Sequence, residues 1–284
     1  MLGRTFAGRY RVIEHIGKGT AADVYRASRD GASPDGAPLP DVALKLLRPA
    51  AAASAAMRGR FLREALAGSR LSHPHLVETL DAGEDGGTIF LALELCTGRT
   101  LAAALLAGPL PLRTAATIAR QLASALDAAH ARGVVHRDVK PANVFLCDPA
   151  PALAAPHAKL LDLGLARVKD ELGLTATGAL CGTPAYLSPE QIEGAPATPA
   201  ADLYSLGCVL FEMLTGRPPF ADASAGAVLD RHVRDPAPAA SHLAPEVPPA
   251  LDALVASLLA KSPASRPTAA AAAVALDAVH ADPG

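Results

Sequence analysis

The residues with the most chemistry per position lie together at 135 to 143, reading Val-His-Arg-Asp-Val-Lys-Pro-Ala-Asn. Asp138 can orient an attacking hydroxyl and accept its proton. Asn143, five residues on, can hold a divalent metal through its carbonyl oxygen, and Lys140 can neutralise a phosphoryl group in transit. A polar turn between two buried elements would also look like this, since an apolar segment, Val144-Phe145-Leu146, follows directly.

The elements around this stretch must position it. Ile118, Leu122, Ala125, Leu126 and Ala129 recur at helical spacing and predict a helix that delivers the chain to Gly133. After it come two predicted strands, one containing Val144-Phe145-Leu146 and the other Lys159-Leu160-Leu161, the second ending in Asp162-Leu163-Gly164. An Asp at a strand end before Gly can present its carboxylate to a metal held on phosphates. The segment from Leu165 to Gly182 carries Thr175 and Thr177 and is long enough to move. The run Gly-Thr-Pro-Ala-Tyr-Leu-Ser-Pro-Glu at 182 to 190 follows. Further helices are predicted over 200 to 215, near Ala225 to Val233, over Leu251 to Leu259 and over Thr268 to Val279.

The first ninety-odd residues read differently. Residues 9 to 28 predict strand, turn, strand around Ile16-Gly17-Lys18-Gly19, whose glycines let backbone N–H groups approach a phosphate. Val24 is placed to cover an adenine ring. No helix follows the turn, which argues against a dinucleotide fold. Val42 to Leu47 predicts an apolar strand holding one charge, Lys45, which needs a partner if buried. Glu64, in the helical run Met57 to Leu71, is the candidate, though it equally suits a solvated helix face. Leu76-Val77 and Ile89 to Leu95 predict two more strands, and Glu94 to Gly98 a connector whose backbone can meet an adenine edge. The first part is expected to be a mostly antiparallel sheet with one helix.

Bulk properties exclude several classes. A net charge of −2 gives no reason to expect nucleic acid or an anionic membrane as partner. With no Trp and 4% aromatics, the core must rest on Leu, Val and Ala. No apolar run reaches the roughly 18 residues of a membrane span. Cys96, Cys147, Cys181 and Cys208 form no C-x-x-C, which fits free thiols in a reducing compartment and a cytoplasmic location. No H-E-x-x-H occurs among the nine His, which argues against a zinc hydrolase.

In their order, these residues resemble the protein kinase superfamily, in particular bacterial serine/threonine kinases of the eukaryotic-like type. The match runs through Gly17, Gly19 and Val24; Lys45 in V-A-L-K; Glu64; His136-Arg137-Asp138 to Asn143; Asp162-Leu163-Gly164; Ser188-Pro189-Glu190; Asp202; and Arg266. It covers roughly residues 9 to 280. The resemblance implies an α+β, two-lobed fold in a single kinase domain spanning 1–284. The small antiparallel N-lobe with one main helix would run from about 9 to 95, and the mostly helical C-lobe from about 97 to 280.

The resemblance also implies roles. Lys45 would hold the α- and β-phosphates of ATP and pair with Glu64. Ile16, Gly17, Lys18, Gly19, Val24, Ala43, Glu94, Cys96 and Phe145 would complete the nucleotide site. Asn143 and Asp162 would carry Mg²⁺ or Mn²⁺, Asp138 would be the base and Lys140 would steady the γ-phosphate. Lys140 together with Thr183 fits the Ser/Thr-specific pattern, and Glu190 and Arg266 would form a buried ion pair. Arg137 would bind a phosphate on Thr175 or Thr177 and order the mobile segment. Protein substrates are implied, autophosphorylation included, and similar kinases pair through their N-lobes.

The departures are Ala22 for a third glycine, Leu163 for the usual Phe, Ser188 for the usual Ala, and Gly68, expected to loosen the helix carrying Glu64. A catalytically silent scaffold of the same fold and a small-molecule phosphotransferase are the alternatives. The retained charged residues argue against the first, and the 182 to 190 run against the second.

Overall fold

The computed structural model describes residues 1–19, 21–33, 36–148, 156–162 and 184–281. Leu163, Gly164, Thr175, Thr177, Cys181 and Thr183 lie outside them, as does the side chain of Glu64. The chain divides into two compact units, Met1–Thr97 and Gly98–Gly284.

The first unit is built on β1 (Thr5–Phe6), β2 (Tyr10–Lys18), β3 (Ala22–Arg29), β4 (Val42–Leu47), β5 (Thr79–Asp85) and β6 (Thr88–Glu94). They form one antiparallel sheet in the order β1-β2-β3-β4-β6-β5. Helices α1 (Pro49–Ala52) and α2 (Ala55–Gly68) fall between β4 and β5. Side chains alternate across a strand, so β4 serves two faces. Val42, Leu44 and Leu46 pack with Phe6, Tyr10, Val12 and Phe90 on one side. Leu47 packs with Phe61 and Ala65 of α2, Ile89 and Leu91 on the other. Lys45 has the parity of Leu47 and therefore lies on the α2 face.

One expectation for this unit is corrected. The strand expected at Leu76-Val77 begins at Thr79; Leu76 instead closes a turn by donating its N–H to the His73 carbonyl at 3.0 Å. Pro74 inside that turn has no N–H to give to a ladder, which keeps the sheet from starting earlier. Gly68, expected to loosen α2, has a packing reason: a Cβ there would meet Thr79 Oγ1 at 2.1 Å. Glycine lets the end of α2 touch β5.

The second unit is mostly helical. A small antiparallel sheet of β7 (Gly98–Thr100), β8 (Val144–Cys147) and β9 (His157–Leu160) accompanies α3 (Leu101–Leu105) and α4 (Leu112–His130). Then come α5 (Pro189–Ile192), α6 (Pro199–Thr215), α7 (Ala225–Arg234), α8 (Pro249–Leu258) and α9 (Ala269–Ala281). The apolar stripe expected on α4 is fully buried, Ile118, Leu122, Ala125, Leu126 and Ala129 included. Helix α6 is buried almost all round from Ala201 to Leu214 and is the interior of the unit. Gly216, left-handed at φ 77°, ends it. The Ala-rich stretch at 269 to 273 is helical, with Thr268 Oγ1 accepting the Ala271 N–H at its start. Among the described residues, no helix is long and apolar enough to cross a membrane.

Candidate active site

Helix α4 stops where Gly133, at φ 72°, donates its N–H to the His130 carbonyl and Val134 donates to the Ala129 carbonyl. The chain is thereby turned into the 135 to 143 stretch. Asp202, in the first turn of α6, receives it. Asp202 Oδ2 accepts the His136 N–H at 2.8 Å and Oδ1 the Arg137 N–H at 2.7 Å, while His130 Nε2 lies 2.8 Å from Oδ2. Asp202 is 1% exposed, so these donors replace its water. The positive end of the α6 dipole favours its charge as well.

Arg137 has φ 68° and Asp162 φ 46°, a region that residues with a Cβ rarely adopt. Such backbone strain persists only where surrounding bonds fix it. His136, fully buried, links the two places. Its Nδ1 lies 3.3 Å from the Asp138 N–H and its Nε2 2.9 Å from the Leu161 carbonyl. An N–H can only donate and a carbonyl only accept, so the ring is the neutral Nε2–H tautomer. Asp138 is thus tied to the residue preceding Asp162.

At Asp138, Lys140 Nζ donates to Oδ2 at 2.7 Å and Asn143 Nδ2 donates to the same oxygen at 2.9 Å and to the Asp138 carbonyl at 2.8 Å. The amide nitrogen of Asn143 is committed inward, so its Oδ1 is the atom left for a cation. Asn143 also accepts the Leu161 N–H on its backbone carbonyl at 2.8 Å, which sets it beside the start of the Asp162 turn. An amide oxygen and a carboxylate are hard oxygen donors of the kind Mg²⁺ takes. Phe145, on β8, pairs with Thr100 and Lys159.

In the first unit the sheet register collects the other expected residues. Val24 stands opposite Lys45, and Lys45 opposite Leu91. Ala43 stands opposite Leu93, so Val24, Ala43 and Lys45 share one face. Lys18 pairs with Asp23 and Gly17 with Val24 at the mouth of the β2–β3 hairpin. Ile16 precedes them and is 44% exposed, as a lining residue of an open turn would be. Gly19 donates its N–H to the Ala22 carbonyl at 2.9 Å, and a Cβ on it would sit 3.1 Å from that oxygen. Glu94 ends β6, giving its N–H to the Glu78 carbonyl and taking the Glu78 N–H on its side chain. Cys96, half-buried, lies just beyond.

Some of the site's support was not expected from sequence. Arg48 grips Asp23 with two bonds of 2.8 and 3.1 Å and reaches the Gly19 carbonyl at 2.6 Å, bracing the glycine turn. Its hydrogen bond holds the Asp23 carboxyl below its ordinary range. A lone Arg after a strand carries no signal for this. Tyr186, at the end of the short 3₁₀ turn Pro184–Tyr186, donates to Glu212 Oε2 at 2.6 Å, and Ser205 donates to its carbonyl at 2.7 Å. Burial, then the Glu212 charge, push the Tyr186 hydroxyl well above its usual value. The expected pair of Glu190 and Arg266 is present: Arg266 Nη1 and Nη2 meet the two carboxylate oxygens at 2.6 and 2.8 Å.

A family model described as "Protein kinase domain" matches residues 10–276. The chain belongs to the protein kinase family. Among curated relatives of this kinase domain, the serine/threonine-protein kinase PknD of Mycobacterium tuberculosis is 42% identical over 261 residues, covering 91% of this chain and 38% of the relative. PkaA of Streptomyces coelicolor is 40% identical, with 94% and 49% covered. The probable PknB of Lactococcus lactis is 38% identical, with 94% and 41% covered. The chain thus spans less than half the length of these relatives. The M. tuberculosis PknI kinase domain matches structurally at a TM-score of 0.75, 30% identical, over 99% of both chains. The α+β, two-lobed kinase fold expected from the sequence is the one observed.

Proposed function

We propose that this kinase domain transfers the γ-phosphoryl group of ATP to Ser or Thr hydroxyls of protein substrates, its own chain among them. The observation that carries the reading is the convergence of Lys140 Nζ and Asn143 Nδ2 on Asp138 Oδ2. Two donors on one oxygen fix the carboxylate plane and direct Oδ1 to a substrate hydroxyl. Asp138 takes the hydroxyl proton as the oxygen–phosphorus bond forms and the bond to the β-phosphate breaks, releasing ADP. Lys140, held on Asp138 at 2.7 Å, turns to the phosphoryl charge in transit. Lys45, paired with Glu64, holds the α- and β-phosphates. Ile16, Gly17, Lys18, Gly19, Val24, Ala43, Glu94, Cys96 and Phe145 frame the nucleotide.

Asn143 Oδ1 and Asp162 suit Mg²⁺, with Mn²⁺ the alternative of the same donor chemistry. The metal supplies charge neutralisation on the phosphates. The retention of Lys45, Glu64, Asp138, Asn143 and Asp162 supports turnover over a silent scaffold. Arg137, with Thr175, Thr177 and Thr183, belongs to the regulatory part of the reading, and the single domain spans 1–284. A homodimer through the first unit is read out by sedimentation velocity.

The test is incubation with Mg²⁺ and γ-labelled ATP, alone and with a generic protein acceptor, beside Asp138→Asn. Label on Ser or Thr in wild type and loss in Asp138→Asn is expected. No label in any protein overturns the activity, and equal label in Asp138→Asn overturns the role of Asp138.

A further inference from the structure

The peptide unit joining Arg137 to Asp138 is gripped from two sides by residues distant in sequence. Arg137 sits at φ 68° and gives its N–H to Asp202. Its carbonyl accepts from Gln191 Nε2 at 3.2 Å. Asp138 is the next residue, so the plane of that carbonyl sets where the Asp138 N–H and Cα lie.

The Gln191 amide is itself oriented. Its Oε1 accepts the Ser188 N–H and the Ser188 hydroxyl, each at 3.1 Å. A backbone N–H only donates, so the Gln191 atom facing it is oxygen and the NH₂ group must face Arg137. Ser188 is fully buried and Gln191 is 7% exposed, so bulk water cannot replace these bonds. Ser188 lies within the 182 to 190 run and Gln191 directly follows it.

We propose that Gln191 is a positioning residue for catalysis, oriented by Ser188, and that it couples the 182 to 190 segment to the strained turn carrying Asp138. The role rests on the kinase reading, but the bond network does not. Gln191 touches neither phosphate nor acceptor, so its loss acts on the placement of Asp138 and hence on kcat.

Three variants test it. Gln191→Met keeps length and removes the donor. It is expected to lower kcat about 5- to 10-fold, the effect of one buried hydrogen bond, with KM for ATP unchanged. Gln191→Glu places acceptors against the Arg137 carbonyl. Its activity is lower still at pH 8 and recovers as the pH falls, because a protonated carboxyl regains a donor; wild type and Gln191→Met show no such recovery. Ser188→Ala keeps its N–H and loses less.

Hydrogen exchange at residues 135 to 139 is measured on the same proteins and needs no turnover. It is expected to accelerate in Gln191→Met at an unchanged melting temperature. If wild type transfers phosphate while Gln191→Met keeps full kcat and unchanged exchange, the positioning role is wrong and the kinase reading stands. If wild type is silent while exchange responds to Gln191→Met, the kinase reading is wrong and the strut stands. Should Gln191→Met unfold, a pH profile of Gln191→Glu parallel to wild type overturns the proposal.

Discussion

Asp202 Oδ1 accepts the Arg137 N–H at 2.7 Å and holds that residue in the left-handed region. The other oxygen takes the His136 N–H, so one buried carboxylate stabilises two consecutive peptide groups. Asp202→Asn keeps an acceptor for one amide and turns an NH₂ toward the other, and it removes the charge facing His130. A cost of about 3 kcal/mol in urea unfolding is expected, in the range of a broken buried charged network. A loss under about 1 kcal/mol, the size of an exposed bond, would show that the loop does not lean on Asp202.

Asn143→Asp is nearly isosteric and reverses the chemistry at Asp138. The amide that donates to Asp138 Oδ2 at 2.9 Å becomes a second carboxylate. Two like charges at that distance repel, and the donor that oriented Asp138 is gone. Phosphoryl transfer is expected to fall by about 100-fold or more, as for loss of a base. Raising Mg²⁺ should not restore it if Asp138 is the base, because Asp138 is then perturbed and not only a metal ligand. Full recovery at high Mg²⁺ would assign Asn143 to the metal alone.

The compact geometry of the 135 to 143 stretch was legible because its residue types stand at fixed spacing: Asp138, Lys140 and Asn143 meet on one oxygen through a single short turn. Its supports were not legible from spacing. Asp202, singled out only by the family resemblance, and Gln191 reach the turn from other helices, and no periodicity signals a side chain that bonds a distant backbone group. Arg48 on the glycine turn is similar. Element types over α4, α6 and β4 followed from apolar spacing, while the Leu76 strand failed because Pro74 removed a donor. The packing reason for Gly68 was not legible for the same kind of reason. Helix propensity is local, and the close approach of Thr79 is tertiary.

Gly68→Ala therefore separates propensity from packing. In an open helix the change would stabilise by about 1 kcal/mol. Here the new Cβ would fall 2.1 Å from Thr79 Oγ1 and 3.0 Å from its Cβ. Overpacking is expected to win, with a net loss of about 1–3 kcal/mol in the unfolding midpoint. Combining it with Thr79→Ala should recover part of the loss by removing the closer atom. A more stable single variant would mean that β5 yields without cost.

Arg266 does more than pair. Besides its two bonds to Glu190, it donates to the carbonyls of Ala200, Ala260 and Lys261 at 2.8 to 2.9 Å. Arg266→Leu strands a buried carboxylate and three carbonyls and should cost about 3–5 kcal/mol. Glu190→Gln should cost less, since the Arg keeps its carbonyl partners. Burial acts to raise the Glu190 carboxyl, but the Arg266 bonds prevail and hold it below its ordinary value. A depressed acid contributes stability above its unfolded value of about 4.3, lost as pH falls through the lower folded one. Acid unfolding of Glu190→Gln should accordingly show a shallower slope below about pH 4 than wild type. Equal slopes would remove Glu190 from the acid response.

His232 gives a pH dependence of the same sign in a different window. It is fully buried between α6 and its own helix α7, with Tyr204 OH 2.9 Å from Nδ1 and the Phe220 ring edge-on at 4.8 Å. Lys261 Nζ donates to its carbonyl at 2.7 Å. Burial, reinforced by the Lys261 charge, pulls the imidazole from 6.5 down to about 4. Between those values the unfolded chain binds a proton that the folded chain does not. Stability is then complete above about pH 6.5 and falls as the pH drops toward 4, by about 3 kcal/mol at most. The window lies above that of Glu190, so the two separate. Urea midpoints of wild type should fall between pH 7.5 and pH 5. Those of His232→Asn should start lower, because packing against Phe220 is lost, and then change less over the same interval. A wild-type midpoint flat from pH 7.5 to 5 would mean that His232 protonates in place, and that the ammonium beside it moves away.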